Sequence, residues 1–432
     1  VKRQSTLLVQ HFFWSLFGTG LPLVLGIVTI PMILEGLGMV SFGLLTLIWT
    51  AIGYFGLFDF GLGRALTQRV AAMRAHKGSL DLAEIAQGLW LVIFFGLLGA
   101  LFMHGVGLYY VNVVLDLKGP ALREAQLAVV ISAWSIPLVT VSSGLRGILE
   151  GLEAFKKAGL LRGFLGTLNF LLPWCMVVMG HASLVWMVWS LVLARGVNVC
   201  LNFWWLRGVL SKGLFTVAPR WGKAKSLFRF GYWMTISNVV GPFMVAADRF
   251  LVAGALGTGM LAYYTVPQDA VLRLLVLPAA WSTIWFPRFT KVYMQGNVKS
   301  MQSELRGGMR VVFWVMGPLC LVLGYFVLPL LGIWLGEPFA SNTWMVARVL
   351  LLGLFLNAMA HLPLAAIQAI GRVDFTAKLH VLELLLFVPG LMFAVSQWGI
   401  MGAAWAWTVR TAVDFVFLFI FSHKITQHGS TL

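Results

Sequence analysis

The feature that most limits what this chain can become is a series of apolar runs, each long enough for a membrane-spanning helix. Runs of about 20 residues fall at 11–34, 40–61, 86–108, 126–149, 159–180 and 183–206. Six more fall at 231–254, 260–287, 310–335, 343–370, 375–397 and 399–422. Charged residues make up 11% of the chain, against about 25% in a soluble domain. The mean hydropathy is +0.89, so a water-soluble fold is excluded. The expected fold class is all-α: a polytopic membrane protein of about twelve transmembrane helices. Pro22, Pro31, Pro137, Pro173, Pro242, Pro278, Pro318 and Pro389 lie inside the runs and predict kinks.

The basic residues orient the spans. Of the 31 Lys and Arg, 24 fall in one alternating set of connections and 2, Lys118 and Arg123, in the other. The positive-inside rule puts the richer set, and with it both termini, in the cytoplasm. A missed span would scramble the split, so it supports an even count. The formal net charge of +16 is then mostly a topology signal. It calls for no nucleic acid, although a basic cytoplasmic face attracts anionic membrane lipids. The opening VKRQSTLLVQHFFWSLFGTGLPLVLGIVTIPMIL has the basic start of a signal peptide. Its apolar run is too long and lacks a small-residue cleavage site, so it reads as an uncleaved first helix. Cys175, Cys200 and Cys320 sit in apolar stretches, and an odd set of thiols argues against a disulfide framework.

The chain carries traces of an internal repeat. Leu37-Gly38 matches Leu256-Gly257, Thr46 matches Thr265 and Arg69 matches Arg288, all at an offset of 219. Gly151 and Phe155 match Gly371 and Phe375 at an offset of 220. The expected organisation is an N-terminal six-helix bundle over 1–206, a cytoplasmic linker over 207–229 and a C-terminal six-helix bundle over 230–432. Each half starts inside, so the halves are parallel repeats, an arrangement that binds substrate in a central cavity between them. The longest outer loop is expected over 108–126, LYYVNVVLDLKGPALREAQ.

Charges inside the spans are the strongest functional signal. Five Arg (Arg195, Arg249, Arg273, Arg348, Arg410) and five acids (Asp59, Asp248, Asp269, Glu383, Asp414) lie in or at the edge of spans. Each costs about 2.5–3.5 kcal/mol at a helix centre on insertion scales, so they should face a cavity or one another. Helical spacing groups them. Thr265, Asp269 and Arg273 form one stripe; Trp407, Arg410, Thr411 and Asp414 form another. Arg195, Asn198 and Asn202 share a face, Asn238 lies three turns before Arg249 on one face, and His380 and Glu383 are one turn apart. The i, i+4 pairs Asp269–Arg273 and Asp414–Arg410 equally fit plain mutual neutralisation. Arg348, near the outer end of its span, fits snorkelling to the surface. Arg195 has no acid within one turn, which makes it the strongest binding candidate. The intramembrane cations are all Arg, whose planar fork pairs bidentately with phosphate. That choice favours an anionic, phosphorylated substrate. Trp189, Trp281 and Trp407 lie deep, where core packing and sugar stacking are both open readings. No P-loop, no GxSxG and no metal spacing of His and Cys is present, so neither an enzyme nor a cofactor is expected.

The stretches GLFDFGLGRALTQRVA (56–71), NVVGPFMVAADRFLVAGALGTGMLAYYTVPQDAVLRL (238–274) and WFPRFTKVY (285–293) resemble bacterial O-antigen and polysaccharide flippases. RGILEGLEAFKKAGLLR (146–162) is similar to that family's connector between spans four and five. These flippases belong to the multidrug/oligosaccharidyl-lipid/polysaccharide exporter superfamily, and the resemblance covers the whole chain. It implies a flippase that moves undecaprenyl-diphosphate-linked oligosaccharide from the inner to the outer leaflet of the bacterial plasma membrane. Ion-coupled alternating access, driven by H⁺ or Na⁺, is implied with it. Arg195, Arg273 and Arg410 would then screen the diphosphate, with Arg249 and Arg348 nearer the exit and Asn198, Asn202 and Asn238 beside them. Glu383 with His380 becomes the first candidate for ion coupling, followed by Asp269 and Asp248. Other polysaccharide-assembly proteins are conceivable partners. Two alternatives stay open: a cation-coupled multidrug exporter of the same superfamily, and a membrane-embedded glycosyltransferase or polymerase. Acids with Arg neighbours speak against the first, and short outer loops against the second.

Overall fold

The computed structural model describes residues 2–55, 62–77, 81–152, 154–210, 246–295, 298–370 and 372–428. Every element among them is helical. Nine helical stretches among the described residues are long and apolar enough to cross a membrane, so the chain is an all-α, multi-pass membrane protein. It divides into two compact units, Val1–Ala246 and Ala247–Leu432. From residue 211 onward the expected linker lies outside the described residues; its first residues continue a helix to Leu210.

The first unit contains α1 (Lys2–Phe55), α2 (Leu62–Lys77), α3 (Leu82–Tyr109), α4 (Gly119–Ala133), α5 (Ile136–Gly151), α6 (Phe155–Val178) and α7 (Leu184–Leu210). The Asp81 carboxylate caps α3 by accepting from the amides of Ala83 and Glu84 at 3.0 and 3.2 Å, which satisfies donors that a helix start leaves open. Glu124 of α4 reaches α7 and accepts the Leu184 amide at 2.6 Å. The expected outer loop is mostly helix: α3 passes into a π-turn at Tyr110–Val114, and only four residues separate that turn from α4. Its apolar residues favour continued helix, and Pro120 suits the first turn of α4. The expected fourth span is two helices, α4 and α5, parted just before Pro137. Close packing relies on small residues. A Cβ on Gly147 of α5 would stand 2.2 Å from the Gly63 carbonyl oxygen of α2. Such backbone approach is how helices associate where no hydrophobic drive separates protein from lipid.

The second unit begins within helical residues 246–256 (α8), the described end of the expected seventh span. It continues with α9 (Thr258–Leu272), α10 (Val276–Met294), α11 (Val298–Leu335), α12 (Glu337–Ala369) and α13 (Val373–His428). A 3₁₀ turn at Arg273–Leu275 joins α9 to α10, just ahead of Pro278. The central helix is α12, which packs against α9, α10, α11 and α13. At Gly353 it meets the buried indole of Trp407, where an added Cβ would come within 2.3 Å of the ring.

The repeat is visible in backbone conformation. The glycines with positive φ, among the described residues, are Gly38, Gly119, Gly180, Gly257, Gly336 and Gly399. They pair across the chain at offsets of 219, 217 and 219 residues. Gly38 (φ 73°, ψ 166°) and Gly257 (φ 83°, ψ 163°) are nearly superimposable in dihedral angles. That region is open essentially to glycine alone. At Gly257 the N–H bonds to the Ala253 carbonyl and the carbonyl accepts from the Leu261 amide. One residue thus ends one helix and begins the next. Gly336 does the same between Gly332 and Ala340. Gly38 and Gly399 likewise sit inside α1 and α13, so each of those elements holds two expected spans across one glycine. The ion pair between α2 and α3, Arg69–Glu84 at 3.4 Å, recurs between α10 and α11 as Arg288–Glu304 at 3.9 Å.

Candidate functional site

The charged residues of α8 and α9 form two adjacent rungs. Consecutive residues on a helix point about 100° apart. Asp248 and Arg249 therefore face different stripes of α9. Asp248 meets Tyr264 and Gln268: its Oδ2 accepts from the Tyr264 hydroxyl at 2.7 Å and from the Gln268 amide at 2.6 Å. Its Oδ1 accepts the Arg249 backbone N–H at 2.7 Å. The carboxylate is wholly buried, at 0% exposure, and is satisfied by neutral donors, as buried charge requires. Arg249 meets the next stripe, where its guanidinium forms an ion pair with Asp269. Asp269 thus pairs with Arg249 on the neighbouring helix, while it also acts electrostatically on Arg273 one turn along its own helix. Sequence reasoning does not mark Tyr264 and Gln268. Their i, i+4 spacing beside the Asp269 stripe is the signal that could have found them.

A second cluster lies within α13. His380 Nδ1 stands 3.4 Å from Glu383 Oε2. Asp414, from the helix beyond Gly399, joins them, with one potential ligand atom from each residue lying within 4.8 Å of the others. Sequence spacing sets Asp414 against Arg410. The Arg410 guanidinium acts electrostatically on Asp414, as that spacing predicts, and also lies 5.4 Å from the Phe387 ring centroid, a cation–π distance. Arg273 opens the 3₁₀ turn and is half-buried. Arg348 is the twelfth residue of α12, about 16 Å from the helix start at 1.5 Å per residue. The helix begins six residues before the expected span. Arg348 is exposed, donates from Nε to the Gly324 carbonyl at 2.8 Å and covers the Trp344 ring at 4.5 Å.

In the first unit the polar stripe of α7 is buried. Arg195, at 7% exposure, donates from Nη1 to the Leu191 carbonyl of its own helix at 2.7 Å. Among the described residues no carboxylate pairs with it. Asn198 donates to Ser142 of α5 at 3.2 Å, and Asn202 donates to the Asn198 carbonyl at 2.7 Å. The amide oxygens of both Asn have no donor among the described residues. Trp407 is core, packed on Gly353, whereas Trp189 is exposed. Asn238 and Asp59 lie outside the described residues.

The chain is similar to known proteins in both sequence and fold. Residues 8–293 match the family described as Polysaccharide biosynthesis protein. A Shigella flexneri protein named "Putative O-antigen transporter" is 30% identical over 414 residues, covering 95% of this chain and 96% of that protein. Lipopolysaccharide biosynthesis protein WzxC of Escherichia coli (strain K12) is 23% identical over 399 residues, covering 90% and 75%. Among solved structures, an inward-facing multidrug resistance MATE family transporter of the MOP superfamily gives a TM-score of 0.78 at 15% identity, covering 96% of this chain and 98% of that one. A MOP superfamily transporter from Pyrococcus furiosus gives 0.67 at 15%, covering 98% and 96%. At that identity the structural likeness is one of fold, while the sequence match is one of descent. The chain belongs to the polysaccharide biosynthesis protein family.

Proposed function

We propose that the protein is a lipid-linked oligosaccharide flippase of the bacterial plasma membrane. It moves undecaprenyl-diphosphate-linked sugar from the inner to the outer leaflet by ion-coupled alternating access, with both termini in the cytoplasm. In this reading twelve spans form two six-helix halves, 1–206 and 230–432, around a central cavity. The relative named for O-antigen transport, matched over 95% of the chain, supports the substrate class. The observation that carries the reading is Arg195. A guanidinium held at 7% exposure with one backbone carbonyl as its acceptor keeps most of its donors for an incoming anion. A diphosphate supplies acceptors in the geometry that a guanidinium fork prefers. Arg273 and Arg410 take the diphosphate at the same stage, and Arg249 and Arg348 act nearer the exit, with Asn198, Asn202 and Asn238 contacting sugar. H⁺ or Na⁺ exchange falls to Glu383 and His380, then to Asp269 and Asp248. Two negative charges moving outward across 100 mV gain roughly 4–5 kcal/mol, so an inside-negative potential favours the forward direction.

The test is Arg195→Ala and Arg195→Lys in a deletion strain. Mass spectrometry would read the polyprenyl-diphosphate oligosaccharide accumulating on the inner leaflet. Alanine should cause accumulation like that of the deletion at unchanged protein level, with lysine intermediate. Normal lipid pools in the alanine strain would sink the diphosphate role of Arg195. Normal pools in the deletion strain itself, with drug hypersensitivity, would favour a multidrug exporter.

A further inference from the structure

The cluster within α13 has the chemistry of a transition-metal site. His380 and Glu383 are one turn apart on the helix before Gly399, and Asp414 comes from the helix after it. The Glu383 side chain is 5% exposed and that of His380 31%. Glu383 Oε1 and Asp414 Oδ1 have no hydrogen-bond donor among the described residues. A buried carboxylate oxygen left without a donor calls for an explanation, and an ion is one of the few available. With metal–ligand bonds of about 2.1 Å, two ligands of a tetrahedral zinc ion stand about 3.4 Å apart. His380 Nδ1 and Glu383 Oε2 already stand 3.4 Å apart. Asp414 lies within 4.8 Å, and a rotamer adjustment would close the third edge.

We infer that His380, Glu383 and Asp414 bind one divalent transition-metal ion, of the zinc and cobalt type, that links the two helices of α13. The imidazole selects the class: calcium and magnesium take oxygen ligands, six or more for calcium, whereas mixed imidazole and carboxylate sets suit zinc and its neighbours. Three protein ligands leave a fourth position for water. The two carboxylates balance the charge of the ion, and Arg410, which acts electrostatically on both His380 and Asp414, borders the site. This site is defined by its ligands, not by transport. It overlaps the proposed ion-coupling position, so a bound metal would compete with the coupling cation there.

The experiment uses the purified full-length protein in detergent, stripped with a chelator and titrated with Co²⁺. The visible bands of low-coordinate Co²⁺ should appear with one ion per chain and vanish on adding Zn²⁺. They should be lost in Asp414→Asn, which removes no histidine and so excludes a surface imidazole as their source. They should be lost in His380→Gln as well. Bands that persist in both variants, or a wild-type spectrum matching hydrated Co²⁺, would overturn the site. X-ray absorption of the wild-type complex should show one imidazole ligand, and its absence would overturn the site without any variant. The titration needs no transport, so its failure would leave the Arg195 test intact, and the reverse holds too.

Discussion

Asp248 offers a sharp test of how the second unit is held together. Its carboxylate accepts two hydrogen bonds from α9, from Tyr264 at 2.7 Å and Gln268 at 2.6 Å, and is fully buried. Interhelical hydrogen bonds in membrane proteins average about 0.6 kcal/mol and reach about 1.7. Asp248→Ala removes two of them, so it should cost about 1–3.5 kcal/mol. Asp248→Asn should cost less. Gln268 Oε1 has no donor among the described residues, so the glutamine amide can turn over and accept from the introduced NH₂ group. Tyr264→Phe, which removes one of the two, should fall between. The assay is the unfolding midpoint of each purified variant in mixed micelles of rising SDS fraction. If Asp248→Ala lay within about 0.5 kcal/mol of the wild type, the level of an ordinary surface change, the hydrogen-bonded core would be wrong. An asparagine variant as unstable as alanine would show that the negative charge matters in itself.

Two further substitutions probe the glycines. Gly257→Ala meets nothing within 4 Å but must adopt φ 83°, so backbone strain alone should cost about 1–3 kcal/mol. Gly105→Ala, in open space within α3, is its control and should be neutral or stabilise by up to about 1 kcal/mol. Both are read in the same SDS titration, and equal midpoints would refute the strain argument. Gly147→Ala presses a methyl against the Gly63 carbonyl oxygen, 2.2 Å away. It should lower the yield of folded protein more than Gly353→Ala, where the neighbour is the Trp407 side chain; size-exclusion recovery of fluorescent fusions ranks them.

Much of this architecture is legible from hydropathy, because a helix that must span lipid has to be apolar over its whole length. The repeat is legible at Leu37-Gly38 and Leu256-Gly257, where the backbone adopts a conformation closed to other residues. Span ends are less legible. The expected tenth span starts at 343, yet α12 starts at Glu337, because a helix can run on past its apolar stretch. Partners are least legible. Spacing along one helix shows what can pair within it, so it matches Asp269 to Arg273 and Asp414 to Arg410. Both within-helix interactions are present, but the structure adds Arg249 to Asp269 and Glu383 to Asp414, contacts that depend on how a hairpin folds back. Asn198 and Asn202 are legible as a face, but Ser142 on α5 is not, since nothing in the sequence says which helix α7 lies against.

The one-residue corners leave no slack between the helices they join. Every residue added to a helix turns the downstream chain by about 100° and advances it about 1.5 Å. A single residue inserted beside Gly257 would swing α9 around its axis, carrying Tyr264 and Gln268 off Asp248 and Asp269 off Arg249 together. Register in each hairpin is therefore set by counting, as in a gear train. Length variation should be excluded at these corners.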